Sequence, residues 1–320
     1  MKKRGLAMLL ALSMGVGMLS GCSIGSSGAG AGRTTAAAQS VSGGQSESQA
    51  PAEDGTEAEN GAGTEDGAGA ESQTAQTPEG AAYAAGGYEG NQEELAEMLQ
   101  HFGDQEFIDA NLSPKKQQLA ILATLVATMS YPQVKEQTGI ALNQGLTPLE
   151  IREAIYQTAS YAGYQKAINA MAYADEMFAE RGIEIPLESQ ATVTDEDRYE
   201  KGLEAQRAIF GPDFAAITED MSESMKRRVS YVSEFSFGDF MTSTGLDEAE
   251  RELIVLCVIA SLGGADSQLS GHAAGSLAAG NTGDELLAAV LLCMPYNGFP
   301  RGLNAYATVN EAILQAEQNG

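Results

Sequence analysis

The sequence predicts an all-α fold, and three observations support this prediction. Apolar residues recur at helical spacing from about residue 91 to the end of the chain, and capping signals precede many of these runs. No alternating strand pattern of useful length is present. The third observation is an internal duplication, so the folded part is predicted to be a tandem duplicated helical bundle.

The duplication relates residues 133–170 to residues 268–305 at a constant offset of 135 positions. The matched residues are Gln133 and Gln268, Gly145 and Gly280, Thr147 and Thr282, Glu150 and Glu285, Tyr161 and Tyr296, Gly163 and Gly298, and Asn169-Ala170 and Asn304-Ala305. The copies differ where the second has His272 and the first has Gln137. This asymmetry predicts that a functional site lies in the second half.

The first 22 residues predict a lipoprotein signal peptide. Basic residues at positions 2–4 precede an apolar run over 6–19 that is too short for a typical membrane-spanning helix. The run ends in Leu-Ser-Gly-Cys, which resembles the lipobox of bacterial lipoproteins and implies lipidation of Cys22. The alternative is an ordinary signal peptide with a chance cysteine. We expect an extracytoplasmic protein that is anchored to a bacterial membrane through lipid alone.

Residues 23–90 form the next segment, which is rich in Gly, Ala, Ser, Thr, Gln and Glu. Such a composition buries too little apolar surface to offset the entropy of ordering, so we predict a disordered acidic linker. The first repeat is placed at 91–182 and the second at 183–320. The formal charge of -26 argues against nucleic acid or an anionic membrane surface as a partner, because both require a basic face.

Capping residues place the helices of the first repeat. After an amphipathic helix over 91–107, Ser113 and Pro114 begin a buried helix, and Thr147 with Glu150 forms a capping box. The four helices expected in this repeat begin at 113, 132, 147 and 165, and the last ends near 181. His101 is interpreted as a surface or capping histidine.

Helical spacing continues through the second repeat. After a connector over 182–195, it predicts helices over 197–209, 214–221 and 225–240. A capping box over 247–250 begins a long apolar helix, a helix with Gln268 and His272 follows, and Thr282 and Pro300 begin the last two.

Two cysteines besides Cys22 lie inside apolar runs of this repeat. Cys257 and Cys293 are interpreted as buried free thiols, and a disulfide between them is the alternative outside the cytoplasm.

Several motifs resemble the carboxymuconolactone decarboxylase family, which also contains the alkylhydroperoxidase D-like proteins. They are Gln-Leu-x-x-His at 268–272, Thr-x-x-Glu at 282–285, Tyr-x-Gly-Phe-Pro at 296–300 and Asn-Ala at 304–305. The preceding segments Arg-Tyr-Glu-Lys-Gly at 198–202, Ile-Phe-Gly at 209–211 and Glu-Phe-Ser-Phe-Gly-Asp-Phe at 234–240 are also similar to decarboxylase-type members. The resemblance covers most of 93–316 and implies an alkylhydroperoxidase D-like helical fold.

The resemblance implies a carboxy-lyase or related isomerase that acts on a small carboxylated lactone or similar organic acid. Loss of carbon dioxide leaves a carbanion that needs a proton donor and no cofactor. His272 is the expected proton donor or acceptor, with Glu252 or Glu234 orienting or recharging it. Gln268 and Tyr296 are the expected substrate-binding residues. No metal is expected.

Two other functions remain open at this point. A non-catalytic small-molecule-binding or assembly lipoprotein on the same fold is the first alternative. A peroxide-reducing protein is a distant third, because the Cys-x-x-Cys pair of the peroxidase branch is replaced by Ala265 and Gln268. Family members usually form rings, so the resemblance also implies a homo-oligomer, either a trimer or a hexamer-like ring.

Overall fold

A computed structural model describes residues 90–100, 105–214 and 217–319. The signal peptide, Cys22, the linker and His101 lie outside these residues. Within them the structure is helical and contains no β-strand, so the all-α prediction is confirmed. No helix in the described ranges is both long enough and apolar enough to span a membrane.

The helices of the first repeat follow the predicted order. They are α1 (Glu93–Gln100), α2 (Gln105–Asn111), α3 (Pro114–Ala127), α4 (Tyr131–Asn143), α5 (Pro148–Gln157), α6 (Ala159–Ala162) and α7 (Tyr164–Glu180). The leading helix predicted over 91–107 is therefore represented by α1 and the start of α2, with 101–104 outside the described residues.

A connector and a second set of helices complete the chain. They are α8 (Arg198–Phe210), α9 (Glu223–Tyr231), a π-helix (Val232–Met241), α10 (Glu248–Leu262), α11 (Asp266–Ala278), α12 (Gly283–Asn297) and α13 (Phe299–Asn319). The helix predicted over 214–221 was wrong, because the described residues there, 214 and 217–221, form turns, a bend and irregular backbone. The segment follows Gly211 and Pro212, which favour a turn over the continuation of a helix.

The core lies where the two repeats meet. The equivalent helices α3 and α10 pack against each other, and α12 packs against α3. Both α3 and α10 are buried around most of their circumference, including Leu119, Ile121, Leu253 and Leu256 at 0% exposure. Each such side chain stabilises the fold by about 1.5–3 kcal/mol through removal from water. The outer helix pairs are α4 with α7 and α11 with α13.

Two lysines at the start of α3 bind the capping-box glutamates of helices from both repeats. Lys115 lies 2.7 Å from Glu150 and 2.6 Å from Glu250, which are the capping-box glutamates of α5 and α10. Lys116 contacts Glu285, the capping-box glutamate of α12. Each glutamate therefore satisfies its own helix N-terminus and also accepts from a lysine at the start of α3.

Two glycines allow α8 and the π-helix to cross at backbone contact. A Cβ atom at Gly202 would lie 1.8 Å from the carbonyl oxygen of Ser233, and one at Gly238 would lie 2.6 Å from that of Arg198. No side chain fits at either distance, so glycine is required at both positions. The crossing holds the π-helix beside the first repeat, where Ser236 contacts Ser160.

Candidate active site

His272 lies on α11 with only 7% of its surface exposed. Its Nδ1 atom is 2.9 Å from Oε2 of Glu252, which lies on α10 and is fully buried. A carboxylate at this distance accepts a hydrogen bond from Nδ1–H, so Nε2 is left to act on a bound molecule. Nε2 makes no hydrogen bond with the described residues.

Glu252 is placed by the way α10 begins. Asp247 accepts a hydrogen bond of 2.8 Å from the backbone of Glu250, which starts the helix and sets its rotation. The neighbouring Arg251 then donates to the carbonyl oxygens of Ser243 and Thr244 at 2.7 and 2.9 Å. These bonds tie α10 to the turn before it, so the carboxylate of Glu252 is held towards α11.

The second oxygen of Glu252, Oε1, is buried and has no hydrogen-bond partner within the described residues. An ionised carboxylate removed from water is costly unless it is paired. His272 is the partner that the structure supplies, so the two side chains act as one unit.

Aromatic rings enclose the imidazole on two sides. Tyr161 packs at nearly a right angle with ring centroids 5.1 Å apart, and Phe210 does the same at 5.4 Å. Phe210 also contacts Phe237 of the π-helix and Phe214. The His272 ring is therefore enclosed by residues from both repeats.

The hydroxyl group of Tyr161 is bound to Ser236. Ser236 in turn donates to Oγ of Ser160 at 3.3 Å. Burial and the negative charge of Glu252 raise the pKa of Tyr161 well above its usual range. The phenol therefore stays neutral beside the carboxylate.

Gly275 allows three helices to pack tightly around the site. It lies one turn after His272, and a Cβ atom there would be 2.8 Å from Cγ2 of Ile209 and 3.1 Å from Oε2 of Glu252. The missing side chain lets α8 and α10 approach α11 closely enough for the His272–Glu252 bond.

Of the residues predicted for the site, the structure brings His272 and Glu252 together. Gln268 lies on the surface, where its side-chain oxygen accepts a hydrogen bond of 2.9 Å from Ser267. Glu234 lies half-buried on the π-helix and makes no hydrogen bond or ion pair with described residues. Tyr296 is half-buried at the end of α12, where it packs against the hydrophobic core.

Sequence reasoning missed Tyr161, Phe210 and Ser236 as site residues. Each belongs to a motif that the sequence analysis had noted, since Tyr161 matches Tyr296 and the others lie in the family-like segments 209–211 and 234–240. The motifs therefore pointed to these residues, but only tertiary packing shows that they lie close to His272.

The first repeat contains a counterpart of the His272–Glu252 pair. Helices α3 and α10 begin after Ser113 and Asp247, 134 positions apart, so Glu252 corresponds to Gln118, and His272 corresponds to Gln137 at the offset of 135. Nε2 of Gln137 donates to Oε1 of Gln118, and both side chains are buried. The fold thus holds one charged pair and one neutral pair at equivalent positions.

A cavity of about 280 Å³ opens at the N-terminal end of α11, the helix that carries His272. Its lining includes Ala265, Leu269, Arg301 and Asn304, and His272 is not among the lining residues. No cluster of histidine, cysteine and carboxylate side chains suited to a metal ion occurs in the described part of the chain.

Within the described residues, the fold and the site define a two-repeat helical protein with one histidine–carboxylate pair. Residues 93–176 and 229–311 each match the model of the carboxymuconolactone decarboxylase family. These segments make up more than half of the 320 residues, so the chain belongs to the carboxymuconolactone decarboxylase family.

One similar protein is the 4-carboxymuconolactone decarboxylase of Acinetobacter baylyi (strain ATCC 33305 / BD413 / ADP1). It is 29% identical to this chain over 127 residues, which cover 39% of this chain and 89% of that protein. Family membership and this similarity point to a carboxymuconolactone decarboxylase-like function.

Proposed function

We propose that this protein is a cofactor-independent lyase or isomerase that acts on a small carboxylated lactone or a related organic acid. His272 is the proton donor and acceptor, and Glu252 orients it. The observation that carries this proposal is the 2.9 Å contact between Nδ1 of His272 and the buried carboxylate of Glu252. A general acid or base needs such a partner to fix its tautomer and to balance its charge.

In the decarboxylation, the bond between the ring carbon and the carboxylate breaks and carbon dioxide leaves. The electron pair of that bond moves into the unsaturated system of the lactone to form a dienolate. Protonated His272 then donates the proton on Nε2 to the carbon and becomes neutral, and solvent returns a proton to it. Glu252 stabilises the imidazolium before transfer. In an isomerisation the neutral imidazole first removes a proton and then returns it.

The surroundings of His272 support this chemistry. Tyr161 and Phe210 shield the imidazole from water, which strengthens its interaction with the charge of Glu252. The phenol of Tyr161 adds no second negative charge, because burial and the charge of Glu252 raise its pKa further above its usual range. The expected roles of Glu234, Gln268 and Tyr296 stay predictions.

Turnover measurements test the proposal. Carboxylated lactones and other small organic acids are incubated with the wild type and with His272→Asn, and carbon dioxide and product are measured. We expect kcat to fall about 100-fold or more in His272→Asn, as removal of a general acid usually does. Gln137→Asn, at the equivalent position of the first repeat, is the matched control and should retain wild-type turnover. Equal turnover in His272→Asn and the wild type would contradict the proposal.

A small-molecule-binding or assembly role is the second candidate. It is favoured by one observation, which is that the cavity of about 280 Å³ is not lined by His272. A ligand that raises the melting temperature equally in the wild type and in His272→Asn, with no turnover of any compound, would support this role. Peroxide reduction remains disfavoured because Ala265 and Gln268 occupy the positions of the cysteine pair and both Cys257 and Cys293 are buried.

We also propose that lipid on Cys22 anchors the protein to a bacterial membrane on its extracytoplasmic side, and that the chain forms a trimer or hexamer-like ring. Mass spectrometry of the mature protein tests the first proposal, because a diacylated N-terminal cysteine has a characteristic mass. Light scattering tests the second, and a clean monomer at micromolar concentration would count against ring assembly.

A further inference from the structure

The ring of His272 is held by an aromatic residue that belongs to the other repeat. Tyr161 lies on α6 of the first repeat, whereas His272 and Glu252 lie on α11 and α10 of the second. We propose that Tyr161 is a positioning residue for His272, and that the first repeat therefore completes the active site of the second. This inference deepens the proposed function, because it concerns the same site.

An imidazole ring can bind in two orientations that differ by half a turn about the bond from Cβ to the ring. The turn exchanges Nδ1 with a carbon atom, so only one orientation lets Nδ1 donate to Glu252. Glu252 favours that orientation through its hydrogen bond. Tyr161 and Phe210 lie at interplanar angles of 84° and 81° to the imidazole, so they limit its rotation by contact.

Tyr161 is itself fixed by polar contacts. Its hydroxyl group is bound to Ser236, and the hydroxyl of Ser236 donates to Ser160. Gly163, with a φ of 111°, ends α6 two residues after Tyr161. These contacts restrict the ring of Tyr161.

The proposal differs from simple packing in what it predicts for the ring nitrogens. If Tyr161 only filled space, its replacement would lower stability and leave the His272 ring oriented by Glu252. If it positions the ring, its replacement alters which nitrogen carries the proton in the neutral form. The tautomer is thus the readout that a merely structural role would not change.

The test uses the full chain with His101→Gln, which leaves His272 as the only histidine because the sequence has 2. Nitrogen NMR of labelled histidine at the high-pH end of a titration reports the tautomer. We expect the parent protein to show Nδ1–H alone and Tyr161→Leu to show a mixture of tautomers. Tyr156→Leu, which removes an exposed tyrosine from the same repeat, is the control and should match the parent.

Two milder variants keep the test decisive if Tyr161→Leu does not fold. Tyr161→Phe keeps the ring and loses the bond to Ser236, and Ser236→Ala removes the same bond from the other side. Both variants should broaden the His272 signals, because the imidazole then exchanges between its two orientations. Tyr161→Phe should also show more of the Nδ1–H form than Tyr161→Leu does. Unchanged tautomer and line width in all folded variants would overturn the inference.

Turnover then separates this inference from the proposed function. With a substrate in hand, Tyr161→Leu should lower kcat about 10-fold and change KM less than about two-fold, as expected from misplacement of a reacting group. The NMR readout needs no substrate. A wild type without turnover, together with the expected tautomer change, would therefore refute the lyase or isomerase proposal and leave the role of Tyr161 intact.

Discussion

The two repeats place different chemistry at the same point of the same fold. In the second repeat, Glu252 accepts a hydrogen bond from His272, whereas in the first Gln118 accepts one from Gln137. Both pairs are buried and join equivalent helices. The difference teaches that the helical bundle accommodates a neutral hydrogen-bonded pair at this point as well as one that contains a carboxylate.

The largest effect is expected when the second pair is converted into the first. The double variant Glu252→Gln and His272→Gln should lose about 100-fold or more in kcat, because no group remains that transfers a proton. Its melting temperature should stay within about 4 °C of the wild type, since an amide pair fits the same positions in the first repeat. Turnover assays and calorimetry measure the two quantities. A large loss of stability would show that the two positions are not equivalent.

A smaller effect is expected when each pair is broken. His272→Leu leaves the carboxylate of Glu252 buried without its partner, which should cost about 3–5 kcal/mol of unfolding free energy. Gln137→Leu leaves only the neutral amide of Gln118, which should cost about 1–3 kcal/mol. Urea denaturation at pH 7 provides both values. Equal costs would mean that the two pairs contribute to stability in the same way.

The capping boxes of the two repeats contain equivalent glutamates, Glu150 and Glu285, and both make the stability of the fold depend on pH. Burial alone would raise the pKa of Glu150, but hydrogen bonds from Lys115 and Thr147 outweigh burial and lower it. The pKa of Glu285 is lowered likewise by Lys116 and Thr282. A lowered folded-state pKa gives stability that is fully present above the unfolded value of about 4.3 and is lost as the pH falls through the folded value.

Glu150→Gln and Glu285→Gln should therefore each lower the unfolding free energy by about 1 kcal/mol at pH 7. The difference from the wild type should disappear at a pH below both pKa values, where the wild-type carboxyl groups are protonated. Chemical denaturation as a function of pH measures this. A difference that persists in acid would assign the loss to the capping geometry instead of the charge.

The smallest effect is expected at the thiols, which have no cysteine counterparts in the first repeat. A hydrogen bond with Cys293 and burial raise the pKa of Cys257 well above its usual value, so its reactive thiolate is scarce. Both thiols are free and buried. Alkylation at about pH 8 should leave both unmodified in the folded protein and modify both after unfolding without reductant. A requirement for reductant would instead reveal a disulfide.

Much of the fold could be predicted because local signals mark where helices begin. Thr147, Thr282 and Asp247 were identified from sequence as capping residues, and each accepts the expected backbone hydrogen bond. The π-helix was predicted as an ordinary helix. Its own apolar residues are spread around the helix axis, so their spacing does not reveal the wider turn of a π-helix.

The site was only partly predictable, and the physical reason differs between residues. His272 and Glu252 lie 20 positions apart, and their contact follows from the packing of two predicted helices. Gln268 shares a helix face with His272 by its spacing, but it lies in the first turn of α11, where no other element covers it. Tyr161 reaches His272 from 111 positions away, and no local pattern encodes such a contact.

Fusion of the two repeats in one chain also affects how the protein can evolve. If a single repeat were encoded once and assembled as identical copies, every substitution would appear in all copies at once. Here Gln137 and His272 are separate codons, so a change in one half is not inherited by the other. Under the proposed function, the repeat with Gln137 in place of His272 is released from the demands of proton transfer, and selection can shape it as a support for the other repeat.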